Sequence, residues 1–379
     1  MKKVISIVLN NFKNDSRVLK ENISLQKAGY DVKVIALHDG SSLQEFDNVQ
    51  GVLVHRIKLK SKNWSKNKLI QMVKYIEYIY IVVKQYGSNC NIVHCNDLNA
   101  LPIGVVMKKL VNKHIKIVYD AHEYETERNG LKGLRKKLTK ILEKKCIKYA
   151  DRVITVSDAI ANEYVRLYNI DKPTVVLNAP LFAKLINKQD IFRNTFNITK
   201  EQIIFLYQGG LSKGRGIEII LDTFKILNDS NHPLYSKAVI VFMGYGILEN
   251  LVQTAAQEND NVYLHNAVPP DILLKYTNSA DIGISMIEDN CLSHVYTLPN
   301  KIFEYAMANI PVIVSNPYKR FIEKYEIGYT ANTVEELINV IGRFIRSNKQ
   351  EFQSHIKNFK RIYNWEEQEK ILLNIYERL

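Results

Sequence analysis

The chain has 379 residues, about two to three times the ~100–200 residues of a usual domain, so more than one compact domain is expected. Hydrophobic residues make up 46% and charged residues 24% of a chain with only 16 glycines and 9 prolines, which excludes a mostly disordered protein. Its longest apolar stretch, residues 75–83, is interrupted by Glu77 and is far shorter than the ~18 residues that span a bilayer. The four cysteines show no zinc or paired spacing, which predicts free thiols in a reducing, cytoplasmic compartment.

The formal net charge of +13 indicates an anionic partner. Positive residues concentrate in two stretches, Leu131–Arg152 and Lys58–Lys84, which also carry apolar and aromatic residues. The first stretch predicts one helix whose apolar face packs while the opposite face stays cationic. Such segments are typical of an anionic membrane surface, although solvated helices in a lysine-rich chain have the same composition. No nucleic-acid-binding motif accompanies the charge, so nucleic acid is not an expected partner.

The N-terminus is basic and then apolar, as in a signal peptide, but the apolar run is short and ends in Asn10, so it predicts a buried strand over Val4–Leu9. A helix over Arg17–Ala28 follows, and strands then alternate with helices, which is the pattern of βαβ units in a parallel sheet. The later predicted strands are Val32–Leu37, Ile92–His94, Ile117–Tyr119, Val153–Val156 and Val175–Leu177, and then Ile203–Tyr207, Val239–Phe242, Val262–Leu264, Ile282–Met286 and Pro311–Val314.

The alternating pattern loosens over residues 187–200 and then restarts, which places a domain boundary near residue 183. We therefore expect an α/β protein of two Rossmann-like domains, 1–182 and 183–356, followed by a helical segment, 357–379, whose apolar stripe needs a surface to bury it. Loops at the carboxyl ends of parallel strands line the ligand crevice of such folds, so the chemistry is expected on strand-to-helix loops.

The loop Gln208–Gly216 directly follows a predicted strand and precedes a helix. Its glycines let backbone amides approach an anion, and the helix N-terminus adds its dipole. Arg215 can form a bidentate pair with a phosphate, and Lys213 lies nearby in the loop. The pattern predicts a phosphate-binding loop, the alternative being a flexible turn. The candidate binding residues besides these two are Gly209, Gly210, Ser212, Gly214 and Gly216.

Two further signals lie in the second half. Gly244 follows the next strand as in a dinucleotide fingerprint, but the third glycine of that motif is replaced by Glu249, so the signal is weak alone. A helix is predicted to begin near Pro299, with Glu304 about one and a half turns inside it. A carboxylate there could accept two hydrogen bonds from a ribose diol, the alternative being an exposed helix glutamate.

Taken in order, these segments resemble the retaining glycosyltransferases of family 4, whose GT-B fold has two facing Rossmann-like domains with a central cleft. The resemblance covers nearly the whole chain. The segments that carry it are Asn14-Asp15-Ser16-Arg17-Val18-Leu19-Lys20-Glu21, Tyr119-Asp120-Ala121-His122-Glu123, Val153-Ile154-Thr155-Val156-Ser157, Asn178, Gly210 to Gly216, Pro299-Asn300-Lys301 to Pro311-Val312-Ile313, and Trp365 to Leu379.

The resemblance implies that Arg215 binds the donor diphosphate, that Glu304 holds the nucleotide ribose and that His122 touches the donor sugar. Glu304 is the second glutamate of the family's Glu-x7-Glu motif. The first is replaced by Tyr296, so the contact to the sugar hydroxyls falls to another donor-site residue. The resemblance also implies that the terminal helix crosses back to the first domain. The candidates for the missing contact are Glu288, Asn300 and Lys301.

Four residues of the first half are candidate acceptor contacts. His94 and Asp97 follow a predicted strand, where an acceptor or donor sugar would lie. Asn14 and Arg17 follow the first strand, and Arg17 could meet an acceptor phosphate. A packed strand-end histidine and a helix-face arginine are the alternative interpretations of His94 and Arg17.

No two aspartates stand two apart, so the Asp-x-Asp metal motif of the other common transferase architecture is absent and a mechanism without metal or other cofactor is expected. We expect a retaining hexosyl- or N-acetylhexosaminyl-type transferase that uses a nucleotide-diphosphate sugar and a lipid-linked or glycan acceptor in surface polysaccharide assembly, in the cytoplasm at the inner membrane face. The alternatives are a nucleotide-sugar 2-epimerase of the same fold and a non-enzymatic protein that binds anionic polymers.

Overall fold

The structure is a computed structural model that describes residues 1–13, 15–40, 42–65, 67–184, 187–346 and 349–379. It divides into two compact units. The first contains Met1–Leu177 together with Gln368–Leu379, and the second contains Asn178–Glu367.

The first unit is built on an eight-stranded sheet with the strand order β3-β4-β2-β1-β5-β6-β7-β8. All neighbouring strands are parallel except β3 and β4, which form an antiparallel hairpin at one edge. The strands are β1 (Lys3–Ile7), β2 (Asp31–Leu37), β3 (Phe46–Val49), β4 (Val52–Ile57), β5 (Ile92–Asn96), β6 (Lys116–Ala121), β7 (Arg152–Thr155) and β8 (Thr174–Val175).

Helices connect β1 to β2 and each pair of consecutive strands from β4 to β8, because a parallel connection needs a crossover. The first begins where the carboxylate of Asp15 accepts a hydrogen bond from the amide of Val18, an N-cap that satisfies one orphan donor. The helices of this unit are α1 (Ser16–Lys27), α2 (Lys68–Tyr86), α3 (Leu101–Val106), α4 (Gly133–Cys146) and α5 (Asp158–Tyr168).

The second unit has a six-stranded, fully parallel sheet with the strand order β11-β10-β9-β12-β13-β14. Every residue of its two central strands β9 and β12 is buried, as expected for a parallel sheet that is covered on both faces. The strands are β9 (Ile203–Gln208), β10 (Ala238–Met243), β11 (Val262–His265), β12 (Ile282–Ser285), β13 (Val312–Val314) and β14 (Gly328–Thr330).

Nine helices of the second unit lie in the described residues, and a tenth runs from this unit into the first. They are α6 (Ile191–Phe196), α7 (Ile217–Leu227), α8 (Glu249–Glu258), α9 (Leu273–Asn278), α10 (Leu292–Tyr296), α11 (Asn300–Met307), α12 (Lys319–Tyr325), α13 (Val334–Arg346) and α14 (Gln353–Ile362), and the tenth is α15 (Trp365–Glu377). From Gln368 onward, α15 belongs to the first unit. There Tyr376 is fully buried and packs edge-on against Tyr30.

The predicted strands are confirmed, most of them within two residues of their expected ends. The hairpin of β3 and β4 is an element that the sequence pattern did not predict, because β3 has only 4 residues and is partly exposed. The single helix expected over Leu131–Arg152 is wrong in extent: α4 ends at Cys146, and β7 begins at Arg152.

The expected packing of α4 is also wrong. Its apolar residues Leu134, Leu138, Ile141 and Leu142 are exposed, Leu134 at 72%, and do not pack into the core. The helix is instead held by Glu143, whose buried carboxylate accepts hydrogen bonds from the hydroxyls of Tyr119, Tyr164 and Tyr168 at 2.5–2.7 Å. These three hydrogen bonds to the buried Glu143 side chain fix α4 in place. The apolar stripe of the helix faces outward.

Candidate functional site

The glycine loop of the second unit follows β9 and leads into α7. Its backbone takes a left-handed conformation at Gly209, Gly214 and Gly216, with φ of +112°, +81° and +67°. Glycine adopts such conformations without strain. Gly216 is the N-cap of α7, so the first amides of that helix point to the loop and provide a positive dipole end.

A second glycine loop, after β10, approaches the first one closely. A Cβ atom on Gly244 would lie only 1.9 Å from the carbonyl oxygen of Gly209, so no other residue fits there. The amide of Leu211 donates to the carbonyl of Tyr245 at 2.9 Å and joins the two loops. Gly244, a weak signal in the sequence, is therefore required for the close contact between these loops.

Cationic side chains converge on the glycine loop. The Lys301 side chain packs against the backbone of Gly209, and its ammonium lies 4.0 Å from the centre of the Tyr207 ring. Burial and then the positive charge of Arg215 lower the pKa of Lys301 to about 7, against the opposing effect of Glu304. Within the described part of the chain, no carboxylate pairs with Arg215 at 4.0 Å or less. Positive charge is thus concentrated here, as an anion-binding site requires.

Glu304 lies in α11, where its carboxylate accepts a 2.5 Å hydrogen bond from the side-chain amide of Gln208. The carbonyl of that amide accepts from the hydroxyl of Thr277 at 2.8 Å. Gln208 and Thr277 therefore fix the carboxylate at the end of β9. Sequence reasoning missed both residues, because a glutamine at the end of a buried strand carries no motif of its own.

The other predicted donor-site residues differ in their exposure. Lys213, Gly210 and Asn300 are exposed, and Ser212 and Tyr296 are half-buried. Glu288 is exposed, and its amide donates to the carbonyl of Gly214 at 3.1 Å, which ties the loop after β12 to the glycine loop. The contacts that these side chains make with a sugar remain a prediction.

In the first unit, His122 directly follows β6 and lies between two carboxylates. Its Nε2 is 3.1 Å from Asp120 Oδ2, and its Nδ1 is 3.4 Å from Asp97 Oδ1. Burial alone would lower the pKa of His122, but Asp120 and Asp97 outweigh it and raise that pKa to about 10. The imidazole is 19% exposed, so it reaches the surface of the unit.

Arg17 and Asp120 form a bidentate pair beneath this histidine. Arg17 Nη2 lies 2.8 Å from Asp120 Oδ1, and Arg17 Nε lies 3.0 Å from Asp120 Oδ2. Arg17 Nη1 also donates to the carbonyl of Val176 at 2.9 Å. Arg17 is only 4% exposed, so the structure gives it a partner inside the unit and does not present it to an acceptor phosphate.

His94 is buried in the same cluster. Its Nδ1 lies 2.6 Å from the hydroxyl of Tyr376, and its Nε2 lies 3.7 Å from both Glu21 and Asp120. Burial and the charge of Asp120 raise the pKa of Glu21 to about 8, so this carboxyl carries a proton at neutral pH. Of the four predicted acceptor residues, Asp97 is the one on the surface at 39%, and Asn14 lies outside the described residues, as does Lys66 of the basic stretch.

Three groups of this cluster, on Glu21, Asp120 and His122, place one potential ligand atom each within 4.8 Å of one another. A cation there would lie beside the Arg17 guanidinium, which contacts both Asp120 and Glu21. Since Arg17 already supplies the positive charge for these carboxylates, the cluster fits a metal poorly.

Comparisons with known proteins agree with this arrangement. Residues 23–179 match the family model Glycosyltransferase Family 4, and residues 223–365 match the model Glucosyltransferase 3-like, C-terminal domain. A comparison with curated proteins gave no match by sequence. None of the helices in the described residues is both long and apolar enough to cross a membrane.

Solved structures match over almost the whole chain. Sucrose-phosphate synthase from Thermosynechococcus elongatus has a TM-score of 0.79 at 16% identity, covering 100% of this chain and 99% of that one. HepE of Anabaena in complex with UDP has a TM-score of 0.70 at 13% identity, covering 100% of both chains. WaaG, a glycosyltransferase involved in lipopolysaccharide biosynthesis, has a TM-score of 0.70 at 13% identity, covering 97% of this chain and 98% of that one.

The chain thus has the GT-B fold of glycosyltransferases. The first unit is similar to Glycosyltransferase Family 4, and the second unit to the Glucosyltransferase 3-like C-terminal domain.

Proposed function

We propose that the protein is a retaining, metal-independent glycosyltransferase. It transfers a hexosyl or N-acetylhexosaminyl group from a nucleotide-diphosphate sugar to a lipid-linked or glycan acceptor in cell-surface polysaccharide assembly. The observation that carries this proposal is the convergence of Arg215 and Lys301 on the glycine loop. A diphosphate is the anion that suits two cations, backbone amides and a helix N-terminus at one place.

The charges in this loop have a direct use in the reaction. The bond between the anomeric carbon and the diphosphate oxygen breaks, and negative charge grows on the leaving group. Arg215, Lys301 and the loop amides stabilise that charge, because they are already oriented toward it before the reaction. Glu304, fixed by Gln208, is placed to accept hydrogen bonds from the ribose hydroxyls.

Retention without a protein nucleophile is expected to follow same-face attack. The acceptor oxygen bonds to the anomeric carbon on the face that the diphosphate leaves, and the acceptor's proton passes to the departing phosphate oxygen. No protein base is needed for that proton. The family resemblance assigns a donor-sugar contact to His122, which acts here together with its neighbour Asp97.

The proposal that no metal takes part rests on the missing Asp-x-Asp motif and on the cations at the glycine loop. Turnover is expected to continue in excess EDTA. Complete inactivation that manganese or magnesium restores would contradict this part of the proposal.

We place the acceptor in a cavity of about 850 Å³ in the first unit, at the carboxyl ends of β1, β2 and β4. Leu9, Leu37 and Tyr78 provide apolar lining, and Trp64 is an exposed aromatic wall. Lys62 and Lys74 also line the cavity, and each donates to backbone carbonyls that fix it in place. An apolar cavity with two ammonium groups suits a sugar carried on a phosphate-bearing lipid.

For the membrane part of the proposal, we take the exposed apolar residues of α2 and α4, two helices that both contact α3, as one exposed apolar face. On α2 the exposed stripe has helical spacing, and Leu69 is 70% exposed. Two lysines expected to face the membrane, Lys136 and Lys140, instead pair with Glu127. Apolar contact adds to charge at such a surface. The exposed apolar face consists of Leu69, Met72, Val73, Ile76 and Tyr80 on α2, and of Leu134, Leu138, Ile141 and Leu142 on α4.

Co-sedimentation with phosphatidylglycerol vesicles tests this face. The double variant Leu138→Glu/Ile141→Glu is expected to lose vesicle binding, while the matched variant Ile226→Glu, at an exposed position of α7, keeps it. Wild-type binding should also weaken at high salt, because lipid charges are screened beyond ~8–10 Å at physiological ionic strength. Equal sedimentation of the three proteins would remove the membrane from the proposal.

The enzymatic proposal is tested by incubation of the purified chain with a panel of nucleotide sugars. Release of a nucleoside diphosphate, with retained configuration in the product, supports transfer. An interconverted sugar without nucleotide release would indicate an epimerase instead. Binding with neither outcome, in the presence of lipid-linked and glycan acceptors, would indicate a binding protein and contradict the proposal.

A further inference from the structure

We propose that Arg17 and Asp120 are positioning residues that hold His122 as a permanent imidazolium, and that His122 in turn orients the Asp97 carboxylate to accept a hydroxyl of a bound sugar. This inference rests on the proposed glycosyltransferase function. It assigns a role to the buried charge cluster of the first unit, whereas nucleotide binding is assigned to the second unit.

The two carboxylates beside His122 favour a proton on both of its ring nitrogens. Nε2 faces Asp120 at 3.1 Å, and Nδ1 faces Asp97 at 3.4 Å. In a neutral imidazole one nitrogen is an acceptor, and it would then face a carboxylate oxygen with no proton between them. Two carboxylate neighbours on opposite sides of the ring therefore favour the cation.

The carboxylate of Asp120 is itself fixed. It is fully buried, and Arg17 binds both of its oxygens. Arg17 and His122 keep the pKa of Asp120 well below its usual range, despite burial. Other titratable or charged groups also face Arg17, Asp120 and His122 from the elements packed around them. They are Glu21 on α1, His94 on β5, and Glu125 and Arg128 after β6.

Those neighbours do not neutralise the imidazolium. Burial and Asp120 raise the pKa of Glu21 to about 8, so Glu21 is protonated at neutral pH and adds little negative charge. Burial lowers the pKa of His94, so His94 adds no competing positive charge. Burial and the charge of Asp97 raise the pKa of Glu125 well above its usual value, so Glu125 adds little negative charge.

Asp97 has an independent sign of a functional position. It is a non-glycine residue with φ of +64°, a conformation that L-residues seldom adopt and that clusters at functional sites. Its amide donates to the carbonyl of Asp120 at 2.8 Å, and the His122 amide donates to its carboxylate at 3.3 Å. The strained backbone and the histidine together hold a 39% exposed carboxylate at the carboxyl edge of the sheet.

The first test reads the protonation of His122 directly and needs no turnover. NMR of the full chain with ¹³C-labelled histidine, assigned with His122→Gln, should show no titration of His122 between pH 5 and 8.5. Asp120→Asn keeps the shape but removes the charge, so His122 should then titrate within that range. Titration of wild-type His122 near its usual value, or no change in Asp120→Asn, would overturn the inference.

The second test measures KM and kcat for Asp97→Asn, with Asp31→Asn at an exposed position as the matched control. Loss of one charge-assisted hydrogen bond should raise one KM about tenfold with a smaller change in kcat. A rise in the donor KM identifies a donor hydroxyl, and a rise in the acceptor KM identifies an acceptor hydroxyl. Unchanged values for both substrates would overturn the role of Asp97 even in an active transferase.

Discussion

The charge cluster of the first unit contains paired opposite charges, whereas the glycine loop of the second unit brings like charges together. In the cluster, Arg17 and Asp120 satisfy each other inside the protein. At the loop, Arg215 and Lys301 repel each other, and burial with that repulsion depresses the pKa of Lys301. A closed set of charges, paired within the protein, shapes and orients a site, whereas an open set of like charges marks the place where an oppositely charged ligand binds.

The first prediction concerns the contribution of the closed Arg17–Asp120 pair to stability. Asp120→Ala leaves the buried Arg17 guanidinium without its carboxylate, so we expect the free energy of unfolding to fall by about 3–5 kcal/mol. Asp158→Ala, which breaks the exposed pair with Lys172, should cost less than about 1 kcal/mol. Urea unfolding followed by circular dichroism measures both. Equal losses would mean that the cluster is not a closed, buried set.

The second prediction concerns the contribution of Arg215, one of the open charges at the glycine loop, to turnover. Arg215→Ala removes a charge-assisted contact that strengthens in the transition state, so kcat should fall about a hundredfold, corresponding to about 2–4 kcal/mol. Its melting temperature should change little. The exposed Lys225→Ala in α7 is the control and should keep wild-type turnover. Near-normal kcat for Arg215→Ala would rule out its role at the leaving group.

The third prediction compares alanine substitutions at Gly244 and Gly210, which lie in the two adjoining glycine loops. Gly244→Ala would place a Cβ 1.9 Å from the Gly209 carbonyl, so the loops must separate and nucleotide affinity should fall at least tenfold. Gly210→Ala meets nothing within 4 Å and should change affinity less than about threefold. UDP, GDP and ADP titrations of both variants provide the measurement. Similar affinities would show that the close approach of the loops is not needed for binding.

The fourth prediction is a pH effect. The folded pKa of Lys301, about 7, lies below its usual value, so the unfavourable charge is present below pH 7 and disappears as the pH rises. A bound diphosphate favours the ammonium form, so binding should take up a proton above pH 7 and weaken with rising pH. Between pH 6.5 and 8.5 the Kd for UDP should rise about tenfold more in wild type than in Lys301→Gln. Parallel pH profiles would contradict the assignment of Lys301.

The sequence predicted most of the strands and the glycine loop, because buried parallel strands and glycine-rich turns have strong local patterns. It predicted α4 with the wrong face inside, since helical spacing of Leu134 and Leu138 does not tell whether a partner covers them. What fixes that helix is Glu143 with three tyrosines from β6 and α5, a set of contacts distant in the chain.

The buried charge cluster of the first unit could not be predicted from the sequence either. Arg17, Asp120 and Tyr376 lie far apart in the chain, and each has an ordinary local context. Their partners become visible only when β5, β6, α1 and α15 are assembled. Gln208 and Thr277 behind Glu304 are hidden for the same reason.

The central claim is that the open charges of the second unit, and not the closed cluster of the first, hold the nucleotide diphosphate. Calorimetric titration of UDP, with GDP and ADP in parallel, into wild type, Arg215→Ala and Asp120→Asn tests it most directly. We expect one nucleotide per chain, with affinity at least tenfold weaker in Arg215→Ala and unchanged in folded Asp120→Asn. Equal affinity in wild type and Arg215→Ala, or loss of binding in Asp120→Asn alone, would contradict the account.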